Sequence, residues 1–275
     1  MEETPILVVS DPPHAEVNVE AVAGILGLDA LGTRLKADFA APEVLLASEA
    51  GEAAEFAASL RGTGLTAVVL DGRSLVGLPW PSPAAAIAFD DQGLRADLRS
   101  GAVQLRYDQP VVGVYCSPPA DFSMTSALDA ADAVERGDGP AIAEAIQWMA
   151  MLDLYFTEAG VLRRVSIVPD LADFSGLGAL PGSSAGDNLP AIIDECRRRF
   201  HLLHLDTRLE SVRPRHRFIM GEAGFDPDKR KRYSFGTLLL CHILDSISPE
   251  LRDVPQYELG SRLAYALSPQ GHRPG

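Results

Sequence analysis

The stretch of residues 84–116 most constrains the fold, because it contains four short apolar runs separated by turn residues. Leu94, Ala96 and Leu98 alternate with charged residues, and residues 103–107 alternate in the same way. A period of two is typical of half-buried antiparallel strands, which place one face in the core and one in water. Such a sheet needs a covering layer on its apolar face. We therefore predict four antiparallel strands here, covered by other parts of the chain.

Length and composition favour a globular cytoplasmic protein. A chain of 275 residues is long enough for two domains, and its apolar content of 47% is ordinary for a globular protein. No run of apolar residues is long enough to cross a membrane, and the start of the chain, MEETPILVV, is too short and acidic for a secretory signal. Three widely spaced cysteines argue against a disulfide framework and fit a reducing compartment.

Residues 1–74 are predicted to form a small βααβαβ domain. Apolar runs bounded by glycine and proline predict its three strands, and apolar residues at helical spacing predict its three helices. The strands are expected at 6–9, 43–47 and 66–70, and the helices at 18–26, 29–39 and 52–60.

The run 22–70, with its turn Leu26-Gly27-Leu28, resembles the C-terminal domain of the bacterial ribosomal stalk protein in element order and helix length. It is also similar to the related fold of the Clp-protease adaptor. The resemblance covers residues 5–71, about a quarter of the chain, and implies a small protein-docking module. In the stalk family, exposed lysines after the turn contribute to docking, whereas Asp29 and Ala30 follow it here.

Residues 75–83 are rich in proline and read as a linker, in which Trp80 is expected to be a packing anchor between domains. Residues 84–205 are predicted to form a mainly antiparallel β domain. Two further strands follow at 151–157 and 161–168, after a helical insertion at 118–147. An amphipathic helix at 187–200 is expected to cover the sheet, an architecture that resembles a pleckstrin-homology-like barrel.

Residues 206–275 are predicted to be a basic segment followed by helices at 233–247 and 257–267. The fold class is therefore α+β.

Charge is polarised along the chain. The net charge is −14, yet residues 195–235 hold 11 lysine and arginine residues against 6 aspartate and glutamate residues, a local charge of +5 that leaves −19 elsewhere.

Three basic clusters in this segment are the candidate partner-binding residues. The first is expected on the solvent face of the covering helix, the second along one strand face, and the third at a helix start. They are Arg197, Arg198 and Arg199; Arg213, Arg215 and Arg217; and Lys229, Arg230, Lys231 and Arg232. The positive charge of these clusters could be neutralised by acidic residues of the same chain, by a second copy of it, or by an outside anionic partner.

No catalytic motif and no metal-ligand pattern is present in the sequence. His201 and His204 are three residues apart near Cys196, which is a usable spacing for zinc on a helix. The favoured interpretation is a buried cysteine with surface or capping histidines. We predict no catalytic residue, no metal and no cofactor.

The favoured hypothesis is a non-enzymatic, bacterial, cytoplasmic interaction or regulatory protein, whose partner is another protein or a second copy of itself. The first alternative is an enzyme or small-ligand-binding protein with an inter-domain site near Cys116, Tyr115, His201 or His204. The second is binding of an anionic surface, phospholipid or nucleic acid, through residues 195–235. The net charge makes nucleic acid an unlikely partner, and a membrane span is not expected.

Overall fold

The computed structural model describes residues 6–27, 41–117, 127–146, 149–177, 185–210 and 254–271. Helices and sheets both occur in these ranges, which confirms the predicted α+β class. The described residues fall into two compact units. The first includes those up to Gly77, and the second includes those from Leu78 to Glu210 and from Tyr257 to Gly271.

The first unit has a three-stranded antiparallel sheet with the strand order β2–β1–β3. Its elements are β1 (Ile6–Ser10), α1 (Val19–Leu26), β2 (Glu43–Ser48), α2 (Ala50–Arg61), β3 (Ala67–Asp71) and α3 (Gly72–Val76). Helix α1 begins after Asn18, whose Oδ1 accepts a hydrogen bond from the Ala21 amide at 3.1 Å, and ends at Gly27, whose φ is +64°. The helix predicted at 29–39 lies outside the described residues.

Both helices α1 and α2 contribute to the core of the first unit. Val22 from α1 and Leu60 from α2 pack with Val8 and Leu45 from the sheet, and all four are almost fully buried. The short helix α3 occupies residues that the sequence predicted as the end of the domain and the start of a linker. Asp71 caps the N-terminus of this helix, because its carboxylate accepts a hydrogen bond from the Arg73 amide at 2.9 Å.

The second unit has two sheets, with strand orders β4–β5–β6 and β10–β7–β8–β9. Its elements are β4 (Ala84–Phe89), β5 (Gly93–Leu98), β6 (Gly101–Arg106), β7 (Val111–Cys116), α4 (Ala127–Arg136), α5 (Gly139–Ile146), β8 (Met151–Glu158), β9 (Val161–Ile167), α6 (Ala185–Arg199), β10 (Leu203–Leu209) and α7 (Gln256–Leu267). A parallel bridge between Pro83 and Ser166 joins the start of β4 to β9, and a second joins Ala86 of β4 to Asp173 in the segment after β9.

One hydrophobic core joins both sheets and helix α6. Ile87 and Leu94 from the smaller sheet pack in the same cluster as Leu154 from the larger sheet and Ile192 and Phe200 from the α6 region. This packing requires that strands β4 to β9 share a single core. The pleckstrin-homology-like barrel stays a prediction.

Asp90 organises the turn between β4 and β5. Its Oδ1 accepts hydrogen bonds from the amides of Gln92 at 2.7 Å and Gly93 at 2.8 Å. These bonds lower the pKa of the Asp90 carboxyl, because they favour its charged form. The turn predicted between the first two apolar runs is therefore present, and the Asp90 carboxylate stabilises it.

The hairpin between β8 and β9 places an alanine in a strained conformation. Glu158 pairs with Val161 across a two-residue turn, in which Ala159 has φ +49° and Gly160 has φ +80°. A turn with both central residues at positive φ favours Asn-Gly over Ala-Gly, because asparagine adopts this conformation more readily.

Replacement of Ala159 by asparagine is expected to raise the free energy of unfolding by about 0.5–1 kcal/mol, because it relieves this strain at an exposed position. Urea denaturation followed by circular dichroism measures the change. Ala54→Asn, on the exposed face of helix α2, is the control and should instead lower stability by roughly 0.5 kcal/mol, since asparagine is a poorer helix former than alanine. Equal effects at both positions would contradict the role of the turn.

Strand β10 differs from the sequence expectation, and Trp80 has a contact within the second unit. β10 pairs with β7 in parallel and crosses the boundary predicted at residue 205. Trp80 is half-buried and packs inside the second unit, with the Arg262 guanidinium 4.2 Å from its ring centroid.

None of the described helices is long and apolar enough to cross a lipid bilayer.

Candidate functional site

Polar side chains occupy the outer face of strands β8 and β9, which is the face turned away from the shared core. Leu152, Leu154 and Phe156 point into that core, so the alternating residues Asp153 and Tyr155 point outward. Antiparallel pairing places Asp153 opposite Ser166 and Tyr155 opposite Arg164. Helix α7 covers these residues. Together they form the buried charged cluster, which consists of Asp153, Tyr155, Arg164, Ser166, Glu258, Ser261 and Arg262.

The Asp153 carboxylate is the centre of this cluster. Its Oδ1 accepts a hydrogen bond from the Ser166 hydroxyl at 2.6 Å. Its Oδ2 accepts one from Arg164 Nη2 at 2.6 Å and one from the Ser261 hydroxyl at 2.8 Å. Because the single hydroxyl proton of Ser261 is directed to Asp153, the Tyr155 hydroxyl donates to Ser261 Oγ across their 2.9 Å separation. Asp153 thus has a partner on each oxygen.

Two arginines and two carboxylates alternate through the cluster. Arg164 donates from Nη2 to Asp153 and from Nη1 to the Glu258 carboxylate at 2.8 Å. Glu258 also accepts a hydrogen bond from Arg262 Nε at 2.6 Å, one helical turn further along α7. The formal charges of these four residues cancel. The cluster is therefore a neutral chain of charge-assisted hydrogen bonds.

Aromatic rings enclose the two guanidinium groups. The Arg164 guanidinium lies 5.1 Å from the Tyr155 ring centroid, and that of Arg262 lies 4.2 Å from the Trp80 ring centroid. Tyr155 also stacks on Tyr265 of helix α7, with ring centroids 4.6 Å apart. These cation–π contacts stabilise the two guanidinium groups in their buried site.

The cluster is closed to solvent. Side-chain exposure is 0% for Asp153, 1% for Arg164 and Arg262, and 2% for Glu258. Burial acts to lower the pKa of Arg164, but the neighbouring Asp153 and Glu258 carboxylates raise it well above its ordinary value. Burial also raises the pKa of Tyr155. Arg164 therefore remains charged and Tyr155 remains neutral, so neither is poised for proton transfer near neutral pH.

Both described cysteines are buried thiols. Cys116 lies on the outer face of β7, and burial, with the nearby Asp153 carboxylate, raises its pKa well above the ordinary value. Burial within the shared core raises the pKa of Cys196 to about 12. A thiol with a raised pKa is a poor nucleophile.

We expect iodoacetamide to modify Cys116 and Cys196 in the folded protein at pH 8 at least about 100-fold more slowly than in protein unfolded by urea, because both are inaccessible and protonated. Site-resolved mass spectrometry over a time course measures both rates. Equal rates at Cys116 in the two conditions would show that this thiol is accessible and reactive.

The first of the three predicted basic clusters lies on the last turn of helix α6. Arg197 and Arg198 are exposed and pair with Asp194 and Glu195 respectively. Arg199 differs, because it also bonds to Glu195 and its Nη1 donates to the Tyr107 hydroxyl at 3.0 Å. Cations at this end of a helix are favourable for its dipole. Part of the positive charge is thus neutralised locally.

The remaining basic candidates lie outside the described residues. They are Arg213, Arg215, Arg217, Lys229, Arg230, Lys231 and Arg232. Within the described ranges, the structure places the first of the three clusters.

The interpretation of His201 and His204 as neighbours on one helical face is wrong. Helix α6 ends at Arg199, and His201 lies in the following turn, whereas His204 belongs to strand β10. Tyr115 is half-buried on β7 and its side chain packs against the shared core. Within the described part of the chain, no group of three histidine, cysteine or acidic residues is arranged to hold a metal ion.

Sequence reasoning missed the buried charged cluster. Glu258, Ser261 and Arg262 share one face of the predicted last helix, at a spacing that is common on solvated helices. Asp153 and Arg164 occupy the outward positions of strands, where charged residues are ordinary. The one available signal was that each of these two strands places a charged side chain on the same sheet face.

Comparison of this chain with protein-family models, with curated proteins and with solved structures found no match.

Proposed function

We propose that this chain is a non-enzymatic, cytoplasmic protein-interaction or regulatory protein, whose partner is another protein or a second copy of itself. The observation that carries the proposal is the closure of the buried charged cluster. The charged and hydroxyl side chains of this cluster bond to one another, and the four charged side chains have exposed fractions of only 0–2%. Their arrangement suits a structural role inside an interaction protein better than turnover of a substrate.

A second line of support comes from the small first domain. Its sequence resembles protein-docking modules, and a docking function needs a stable surface rather than a reactive cleft. We propose that residues 1–74 act as a docking module, and that the β domain, which was predicted at 84–205 and which β10 extends to Leu209, is of pleckstrin-homology-like type.

The basic side of helix α6 is the proposed contact surface within the described residues. Arg197 and Arg198 have exposed fractions of 54% and 65%, so they are accessible to a partner. Arg199 is not part of this surface, because its guanidinium bonds to the Glu195 carboxylate and the Tyr107 hydroxyl. Charge complementarity requires a partner with an acidic surface, and the strongly acidic remainder of this same chain would also provide one.

The test compares affinity capture by the wild type with capture by a double variant, Arg197→Glu and Arg198→Glu. The matched control is Arg95→Glu with Arg106→Glu, since these arginines are equally exposed and are also paired with local aspartates. Co-purified proteins are identified by mass spectrometry from a lysate of the source organism, and self-association is measured by analytical ultracentrifugation.

We expect the wild type and the control to retain a specific partner, or to self-associate, and the α6 variant to lose affinity by about tenfold or more because like charges then face each other. A specific partner that all three proteins retain equally would remove α6 from the interface. Absence of any specific partner and of self-association, with a co-purifying small molecule instead, would favour the ligand-binding alternative.

A further inference from the structure

Both faces of the sheet in the first unit are apolar. On one face, Val8 and Ala67 pack in a cluster with Val22 of α1 and Leu60 of α2. Because successive strand residues point to opposite faces, the residues between them form a second face, called here the outer face. A sheet face in water would carry polar residues at these positions. The outer face instead consists of Leu7, Val9, Val44, Ala47, Val68 and Leu70.

The outer face is also buried. Leu7 and Val9 are 0% exposed, and Val44 and Leu70 are each 7% exposed. Helices α1 and α2 pack on the opposite face. Helix α3 has five residues and is about 7 Å long, which is less than the ~10 Å between the first and the last of three adjacent strands. Among the described helices of this unit, none is therefore both long enough and on the correct side to cover the outer face.

The segment 233–247 has the apolar pattern that such a face requires. Leu240, Ile243, Leu244 and Ile247 have the spacing i, i+3, i+4 and i+7, which places them on one side of the predicted helix. Thr237 belongs to the other side. A helix of this length extends over about 22 Å and is about 10 Å wide with its side chains. One such helix can cover three strands.

The predicted helix at 29–39 is the other amphipathic segment close to this unit in the sequence. Helix α1 ends at Leu26, so only Gly27 and Leu28 separate the two helices. Helices joined by so short a loop pack beside each other in an antiparallel pair. We therefore expect the helix at 29–39 on the α1 side of the sheet, which leaves the segment 233–247 for the outer face.

The charges of the two parts are complementary. The four basic residues 229–232 directly precede the segment, and cations at the start of a helix oppose its dipole. The described residues of the first unit include eight aspartate and glutamate residues, but only two arginines and no lysine. Attraction between these opposite charges favours docking of the segment on the first unit.

We propose that residues 233–247 form a helix that covers the outer face of β1, β2 and β3 in the same chain. This docking places the third basic cluster, residues 229–232, beside acidic residues of the first unit. The cluster is then neutralised within the chain and is not available to an outside anionic partner. The docking does not depend on the partner-binding role proposed for α6.

Hydrogen exchange followed by mass spectrometry on full-length variants tests this docking. Leu244→Asp places a charge on the apolar side of the segment. We expect the amides of β1 and β3 to exchange about tenfold or more faster than in the wild type, because the outer face loses its cover. The amides of β8, in the second unit, should be unchanged. Thr237→Asp adds the same charge on the other side of the helix and is the matched control, with an expected change below about twofold.

Unchanged exchange of β1 and β3 in the Leu244→Asp variant would show that another element covers the outer face, and would overturn the proposal. Faster exchange of β8 alone would place the segment on the second unit and would overturn it as well.

Carbodiimide cross-linking of the wild type tests the same docking without a substitution. The chain has three lysines, and two of them, Lys229 and Lys231, directly precede the segment, so cross-links from these amines to carboxylates report on its position. We expect them to reach acidic residues between positions 6 and 77. Cross-links from these lysines to carboxylates of the second unit, with none to the first, would contradict the docking.

A mixture of equal amounts of isotope-labelled and unlabelled chains distinguishes the same chain from a second copy. Cross-links within one chain join two peptides with the same label, and this is the expected result. Cross-links that join a labelled to an unlabelled peptide as often as two like peptides would assign the outer face to a second copy and would overturn the proposal. Neither measurement uses a lysate, so failure to capture a partner through α6 would leave this result unaffected.

Discussion

Replacement of Arg164 by methionine is expected to lower the free energy of unfolding by about 3–5 kcal/mol. The substitution removes the only arginine that bonds to both Asp153 and Glu258 among the described residues. Asp153, which is fully buried, then has no cationic partner there. Methionine fills a similar volume, so loss of the charge rather than a cavity causes most of the effect.

The neighbouring residue provides a matched control for this prediction. Arg163 is 53% exposed and pairs only loosely with Glu158, at 3.6 Å. Arg163→Met is expected to change stability by less than about 0.5 kcal/mol, as is usual for an exposed ion pair. Urea denaturation followed by circular dichroism measures both variants. Similar small losses at both positions would show that the buried charged cluster contributes little to stability.

Replacement of Leu154 by alanine is expected to lower the free energy of unfolding by about 2–5 kcal/mol. Leu154 is fully buried in the core shared by both sheets and α6, and one of its methyl groups lies close to Gly113 on the adjacent strand. Removal of three carbon atoms there leaves a cavity, because strands on either side of β8 restrict its collapse.

The same substitution at an exposed leucine separates burial from residue type. Leu202 is 53% exposed in the turn before β10, and Leu202→Ala is expected to change stability by less than about 0.5 kcal/mol. Denaturation in urea compares the two variants directly. Equal losses at Leu154 and Leu202 would contradict the assignment of a single core to the two sheets.

Local patterns in the sequence predicted most of the regular elements that the structure describes. The alternation of Leu94, Ala96 and Leu98 with charged residues predicted a strand, which is present as β5. The helix predicted at 18–26 is present as α1, which Asn18 and Gly27 cap. These signals are reliable because each depends on residues that are neighbours in the chain, where periodicity and turn chemistry act directly.

The partner of strand β10 was not predictable from the same kind of signal. Leu203, Leu205 and Leu209 are compatible with a strand, but nothing in their spacing indicates which strand they join. The structure pairs β10 with β7 in parallel, and the intervening chain includes two helices, two strands and α6. Parallel pairing requires such a long connection, and local patterns carry no information about it.

The buried charged cluster shows most clearly which features local sequence patterns determine and which depend on the tertiary structure. The sequence by itself determined that Asp153 and Arg164 lie on the outer face of two paired strands, because alternation sets the face of every strand residue. Whether that face meets water or protein was decided only by the tertiary structure, in which Glu258 and Ser261 come from about 100 residues further along the chain. A charged side chain on a strand is typical of a solvated face, and it becomes a buried site only when a distant helix supplies its counter-charge.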